Sequence, residues 1–196
     1  MNNFSLWFST GVQHILDIHG YDHILFVTLL VLAFPLHNWK KLLILITAFT
    51  VGHSISLALS VTGVVRIPQT PVELCIALSI LITAIYNATR YNTTNDNATP
   101  LYGVTLFFGL IHGLGFSYLL RSMLGKEESI FLPLLYFNTG LEVGQLIIVA
   151  VVIIFSLLLG LIFKWPYKNY KLAVVCIIGL TALKISAERF LDVLQQ

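Results

Sequence analysis

Charge is what this chain lacks most. Of its 196 residues 10% are charged and 57% are hydrophobic, whereas a soluble domain carries roughly 25% charged residues. With a mean hydropathy of +0.88, the deficit argues for an integral membrane protein. The net charge of +2 is too small, and the basic residues too scattered, for a nucleic-acid partner. Cysteine is also scarce. Cys75 and Cys176 sit in apolar runs without a CxxC partner, which excludes a disulfide framework and leaves two buried free thiols as the expectation. Residues 1–13 hold no Lys or Arg, and no small-residue cleavage site follows a short apolar core, so no cleaved signal is expected.

What is there is a series of apolar runs. A span needs about 20 mainly apolar residues, and the pattern predicts spans near Tyr21–Leu36, Lys41–Val64, Pro71–Thr89, Leu101–Leu124, Ile130–Lys164 and Tyr170–Arg189. The first is short. Phe4–Ile18 before it mixes polar and apolar residues and reads as an interfacial or re-entrant helix ending at Gly20. The expected fold is all-α: a polytopic transmembrane helix bundle of about six spans plus that short N-terminal helix, in one integral-membrane domain over residues 1–196. The fifth run is long enough to tilt, or to start as a broken half-helix near Asn138-Thr139-Gly140.

Connections are short, apart from the Asn- and Thr-rich loop Arg90–Pro100. Lys40, Lys41, Arg90, Lys164, Lys168 and Lys171 fall in alternate loops, opposite Arg66, Arg121, Lys126, Glu127 and Glu128. The positive-inside rule then predicts that the first set is cytoplasmic and that both termini of a six-span bundle face outside.

Polar residues inside spans are expensive, about 2.5–3.5 kcal/mol for an acid at a helix centre on insertion scales. Those present are therefore functional candidates. His14, Asp17, His19, Asp22 and His23 crowd the mouth of the first span; His53 lies mid-way along the second, His112 along the fourth, and Asn138, Glu142 and Gln145 along the fifth. His19 and His23 are four apart and would share one face of a helix, as in helical zinc motifs. Asn138, Glu142 and Gln145 fall at i, i+4 and i+7, a single polar stripe. His53, His112 and Glu142 each lie roughly 15–18 Å from the outer ends of their helices at 1.5 Å per residue.

The expected metal site is His19, Asp22, His23, His53, His112 and Glu142, with His14, Ser54, Glu73, Asn138 and Gln145 around it. Imidazole and carboxylate ligands suit zinc, nickel, cobalt or iron. Each residue also has a bland reading. A lone intramembrane histidine is more often a helix–helix hydrogen-bond donor. Asp22 could be an N-terminal helix charge, His14 an interfacial residue, and Asn87 and Asn138 interhelical glue. His37 reads as solvated, and Glu188 and Arg189 as a rim. The four-residue glycine pairs Gly109/Gly113 and Gly140/Gly144 read as close-packing positions that draw the fourth and fifth spans together.

These residues resemble a known family. Gly11…His14-Ile15…Gly20…Asp22-His23-Ile24-Leu25-Phe26 is similar to the opening motif of the HupE/UreJ membrane proteins, in the branch called type two. Thr47-Ala48-Phe49-Thr50…His53-Ser54, Val72-Glu73…Asn87, Phe108–Phe116 and Phe137-Asn138…Glu142…Gly144-Gln145 continue the resemblance. It implies a bacterial inner-membrane protein handling nickel or cobalt, the other branch being associated with nickel supply to hydrogenase and urease. Where that branch has His-Gly-x-x-His-Gly-x-Glu, this chain has Phe108-Gly109 for the first His-Gly pair and lacks the glutamate.

Three functions follow as expectations. The first is a nickel- or cobalt-type divalent-metal permease whose polar site opens to the outside. The second is an intramembrane zinc-dependent hydrolase acting on a lipid or membrane peptide, with Glu142 or Asp22 as general base. The third is a helical scaffold whose polar groups lock the bundle. The lipid bilayer and a metal ion are the expected partners.

Overall fold

The computed structural model describes residues 3–34, 38–90, 99–124 and 129–195. The connections around His37, Asn92 and Lys126, with Glu127 and Glu128, lie outside them. The described residues form seven helices and no strand: α1 (Asn3–Leu16), α2 (Asp22–Ala33), α3 (Trp39–Val61), α4 (Gln69–Thr89), α5 (Thr99–Leu124), α6 (Phe131–Phe163) and α7 (Tyr167–Leu194). Helices α3 to α7 are long and apolar enough to cross a membrane. The predicted spans match them within a few residues. α6 runs unbroken through Asn138-Thr139-Gly140, so the expected half-helix there does not form. It ends at Lys164 in the left-handed conformation, φ 50°, with Pro166 close behind to prevent continuation.

The exception is the first passage. α1 has 14 residues and α2 has 12, about 21 and 18 Å at 1.5 Å per residue, short of a hydrocarbon core about 30 Å thick. Both run in the direction of α6. Phe8 lies against Gly140 and Ile15 against Gly144, so α1 is parallel to α6. At the far end of α2, Tyr167 at the start of α7 donates to the Phe34 carbonyl at 3.3 Å, and Asn87 at the end of α4 donates to the Leu29 carbonyl at 2.7 Å. Two short helices in series therefore replace one full-length helix. The break is local chemistry: the Asp17 carboxylate accepts the His19 backbone N–H at 2.9 Å, an Asx-type turn that competes with helix, and Gly20 follows. Beyond it, α2 buries Phe26, Val27, Leu29, Leu30, Val31 and Leu32. A helix apolar all round belongs at the centre of a bundle, and α2 packs there among α3, α4, α6 and α7.

Glycines set the tightest pairings. A Cβ on Gly52 would land on the Leu106 carbonyl, one on Gly109 on the Phe49 carbonyl, and one on Gly113 on the His53 carbonyl, so α3 and α5 touch backbone to backbone. Gly11 and Gly140 do the same for α1 and α6, against the Phe137 and Phe8 carbonyls. The expectation that Gly109/Gly113 and Gly140/Gly144 join the fourth and fifth spans is thus wrong: each pair serves a different partner. Small residues permit close approach without naming the neighbour. The free thiols of Cys75 and Cys176 lie on the outer surface of the bundle, not in its core.

Gly109→Leu and Gly140→Leu are each expected to destabilise the bundle by at least about 1–3 kcal/mol through overpacking. Gly160→Ala, where nothing lies within 4 Å, should be neutral or slightly stabilising because alanine favours helix. Thermal unfolding in detergent measures both.

Candidate metal centre

The break between α1 and α2 brings the last turn of one helix and the first turn of the next to the same place. His14 comes from α1 and His23 from α2, their ring centroids 4.7 Å apart. His53 from α3 lies 6.0 Å from His14 and 6.1 Å from His23. His112 from α5 lies 5.1 Å from His23. The glycine contact of α3 and α5 holds His53 and His112 at this level, because Gly113 abuts the backbone of His53 itself. Ligand nitrogens of His14, His23 and His53 all fall within 4.8 Å of one another.

Aromatic rings enclose the cluster. On the α1 side Phe116 packs on His14 at 3.8 Å and stacks on Phe137 at 5.2 Å and 9°. On the α2 side Phe26 and Phe49 pack against His112 at 5.4 and 5.0 Å, and Phe108 packs on Phe26 at 5.8 Å. Phe26, Phe49 and Phe108 stand about one turn from His23, His53 and His112 on their own helices.

Inside this cage six ring nitrogens are buried without a hydrogen-bond partner: His14 Nε2, both of His23, both of His53, and His112 Nε2. An unsatisfied buried polar group costs about 1–3 kcal/mol, and the sum would rival the whole stability of a typical domain, about 5–15 kcal/mol. Such a concentration of unpartnered imidazole nitrogens is a candidate place for a cation. The tautomers suit a cation. His112 Nδ1 lies 2.8 Å from the Phe108 carbonyl oxygen. That oxygen can only accept, so Nδ1 carries the proton and Nε2 presents a lone pair. Asp22 Oδ1 stands 3.4 Å from His23 Nδ1, close to hydrogen-bond contact, and biases His23 the same way. Carbonyl and carboxylate partners behind the rings are the usual support of metal-bound histidine. Around a tetrahedral ion with metal–nitrogen bonds of about 2.0–2.1 Å, ligand atoms sit about 3.3 Å apart. The trio's ligand nitrogens lie within 4.8 Å of one another, a donor set that could hold a transition metal.

A cleft of about 240 Å³ opens beside the break, lined by His19, Gly20, Tyr21 and Asp22 together with Glu73 of α4 and Arg189 of α7; Asp22 is the residue it shares with the surroundings of the cluster. Asp22 faces both sides, lining the cleft and contacting His23. At the mouth Glu73 pairs with Arg189 at 3.0 Å and accepts from Gln69 at 2.7 Å.

The structure sorts the expected residues. It brings His23, His53 and His112 together, with Asp22 beside His23. His19 stands apart: its side chain is 90% exposed and 3.3 Å from Asp17. The helix assumed from its spacing to His23 is interrupted at Asp17–Tyr21. Glu142 is also elsewhere, accepting the Thr47 hydroxyl at 2.9 Å. Gln145 pairs with Thr50 at 2.8 Å, Ser54 bonds within α3 to the Thr50 carbonyl, and Asn138 Oδ1 is buried without a partner. His14, expected outside the ligand set, is one of the central trio. The signal in the sequence was Gly11, one turn earlier, which pins α1 to α6 inside the bundle.

No curated protein and no solved structure matches the chain at a significant level. The family described as HupE / UreJ protein matches residues 1–191. The match takes in all five long helices up to the last turn of α7, both halves of the broken passage and every histidine of the cluster, and the chain belongs to the HupE/UreJ family of membrane proteins.

Proposed function

We propose that this protein is a permease for divalent transition-metal cations of the nickel and cobalt class, in the bacterial inner membrane with the Glu73–Arg189 cleft facing outside. The observation that carries the reading is the set of unpartnered buried imidazole nitrogens on α1, α2, α3 and α5; Asp22, beside His23, also lines the neighbouring cleft with Glu73. Glu73 and Asp22 draw the cation in and begin to replace its water. Asp22 hands it to His23, whose ring lies 4.7, 6.1 and 5.1 Å from those of His14, His53 and His112. Neutral imidazoles suit nickel, cobalt and zinc over magnesium or calcium, which prefer oxygen. The family membership and the resemblance to the nickel-associated branch favour nickel or cobalt as cargo. Alternate sharing among the imidazoles lets the ion move by small rotations rather than by full release.

A resident zinc in a hydrolase is the second reading. The His14, His23 and His53 trio would hold it with an open position for water, and Asp22 would serve as base. Dialysis separates the two: a resident zinc stays at one equivalent, and a transported ion exchanges.

Proteoliposomes loaded with a metal-sensing dye should show protein-dependent uptake of nickel or cobalt. No flux of nickel, cobalt or zinc under any pH gradient would sink the proposal. His53→Ala and His112→Ala are expected to weaken equilibrium metal binding by more than about 10–100-fold, the loss typical of an outer partner alone. Asp22→Asn should fall within that outer-partner range. Binding should weaken as the pH is lowered, because protons compete for the same imidazole lone pairs. Isothermal titration at successively lower pH reads the slope.

A further inference from the structure

About one turn from the imidazoles stand Phe26, Phe49 and Phe108, and Phe26 and Phe49 are fully buried. The described residues offer polar continuation along the seam of α3 and α6. Thr50 lies one turn before His53 on α3, and Thr47 one turn further. Across from them on α6, Glu142 accepts from Thr47 and Gln145 pairs with Thr50; Asn138 stands one turn before Glu142 on the same face of α6.

Two of these side chains are incompletely satisfied. Gln145 is 0% exposed with its amide nitrogen unpartnered, and Asn138 Oδ1 is buried with no donor. The Thr50 hydroxyl has one proton, yet it has an acceptor on either side: the Ile46 carbonyl at 3.2 Å and the Gln145 amide at 2.8 Å. Turning that amide by 180° lets its N–H donate to Thr50, which then donates to Ile46. The group left over is an amide oxygen. The seam then offers two amide oxygens with spare lone pairs, the Glu142 carboxylate and the Thr47 hydroxyl oxygen. It contains oxygen ligands and one negative charge.

We infer that Asn138, Glu142 and Gln145, with Thr47 and Thr50, form a second and weaker cation site made of oxygen, which receives the divalent metal after the imidazole cluster. The inference rests on the permease reading and adds a release step to it. A path must bind an ion well enough to admit it and loosely enough to let it go. Borderline-soft metals prefer imidazole to neutral oxygen, and a single carboxylate leaves a divalent ion half-neutralised. Those two facts make the seam a place of departure.

Cobalt(II) is the probe, because imidazole-rich tetrahedral and oxygen-rich octahedral ions differ in visible absorption. Equilibrium dialysis of the purified full chain should give two equivalents, a tight one with the imidazole spectrum and a weaker one with the oxygen spectrum. Glu142→Gln and Gln145→Leu should abolish the weak equivalent, keep the tight one and its spectrum, and lower uptake by about 10–100-fold, the loss typical of a removed polar partner. A His23→Ala/His53→Ala variant should lose the tight equivalent and keep the weak one. Retention of the imidazole spectrum shows that the bundle is intact. A single equivalent in the unaltered protein, or a weak equivalent that survives both seam substitutions, overturns the inference. So does loss of both equivalents in every one of Glu142→Gln, Gln145→Leu and Thr47→Val, which would make the seam a packing feature. Absence of the tight equivalent with the weak one present would instead overturn the imidazole reading alone.

Discussion

Burial of imidazole without hydrogen-bond partners is the constraint on which the arrangement turns. Away from water each orphaned ring nitrogen is a liability of order 1–3 kcal/mol, and six sit in one cage. In each neutral ring one nitrogen carries a proton and the other a lone pair, so the cage gathers several lone pairs in one place. The rest of the bundle can be read as the means of holding that cage together. α2 is apolar on all sides and fixes His23 at its tip. α3 and α5 touch through glycine and fix His53 and His112 at one height. α1 stops after 14 residues, so that His14 meets the others instead of passing them.

The broken passage performs two tasks. It lets the residues of the turn line a cleft. It also leaves the N-terminus of α2, with its partial positive charge, directly beside the histidine cluster. Asp22 in the first turn of α2 offsets that charge and contacts His23 at the same time. Discontinuous helices at membrane depth commonly mark binding sites, because they free polar groups where a continuous helix would hide them.

Much of this was legible in the sequence. Hydropathy placed the long helices because nothing but an apolar run of that length suits the bilayer. His53 and His112 stood out because a polar group at the middle of such a run needs a reason. The errors have physical causes. The spacing of His19 and His23 implies a shared face only on an unbroken helix, and the Asp17 carboxylate capturing the His19 N–H breaks it. Counting residues along separate helices sets Glu142 level with the histidines, yet such a count contains neither the tilt of a helix nor the direction a side chain faces. Likewise the glycine repeats announced close contact, but the partner was decided by geometry that no local pattern contains. His14 was undervalued because a 14-residue amphipathic segment resembles an interfacial helix until Gly11 is seen pressed against Phe137.

The aromatic rings have a consequence of their own. Phe26, Phe49 and Phe108 offer no hydrogen-bonding side chain to a column of water, and protons hop along such columns far more readily than metal ions travel. On the permease reading, a cell that admits metal ions cannot let its membrane potential leak away through the same opening. Aromatic rings beside the imidazoles would serve that insulation.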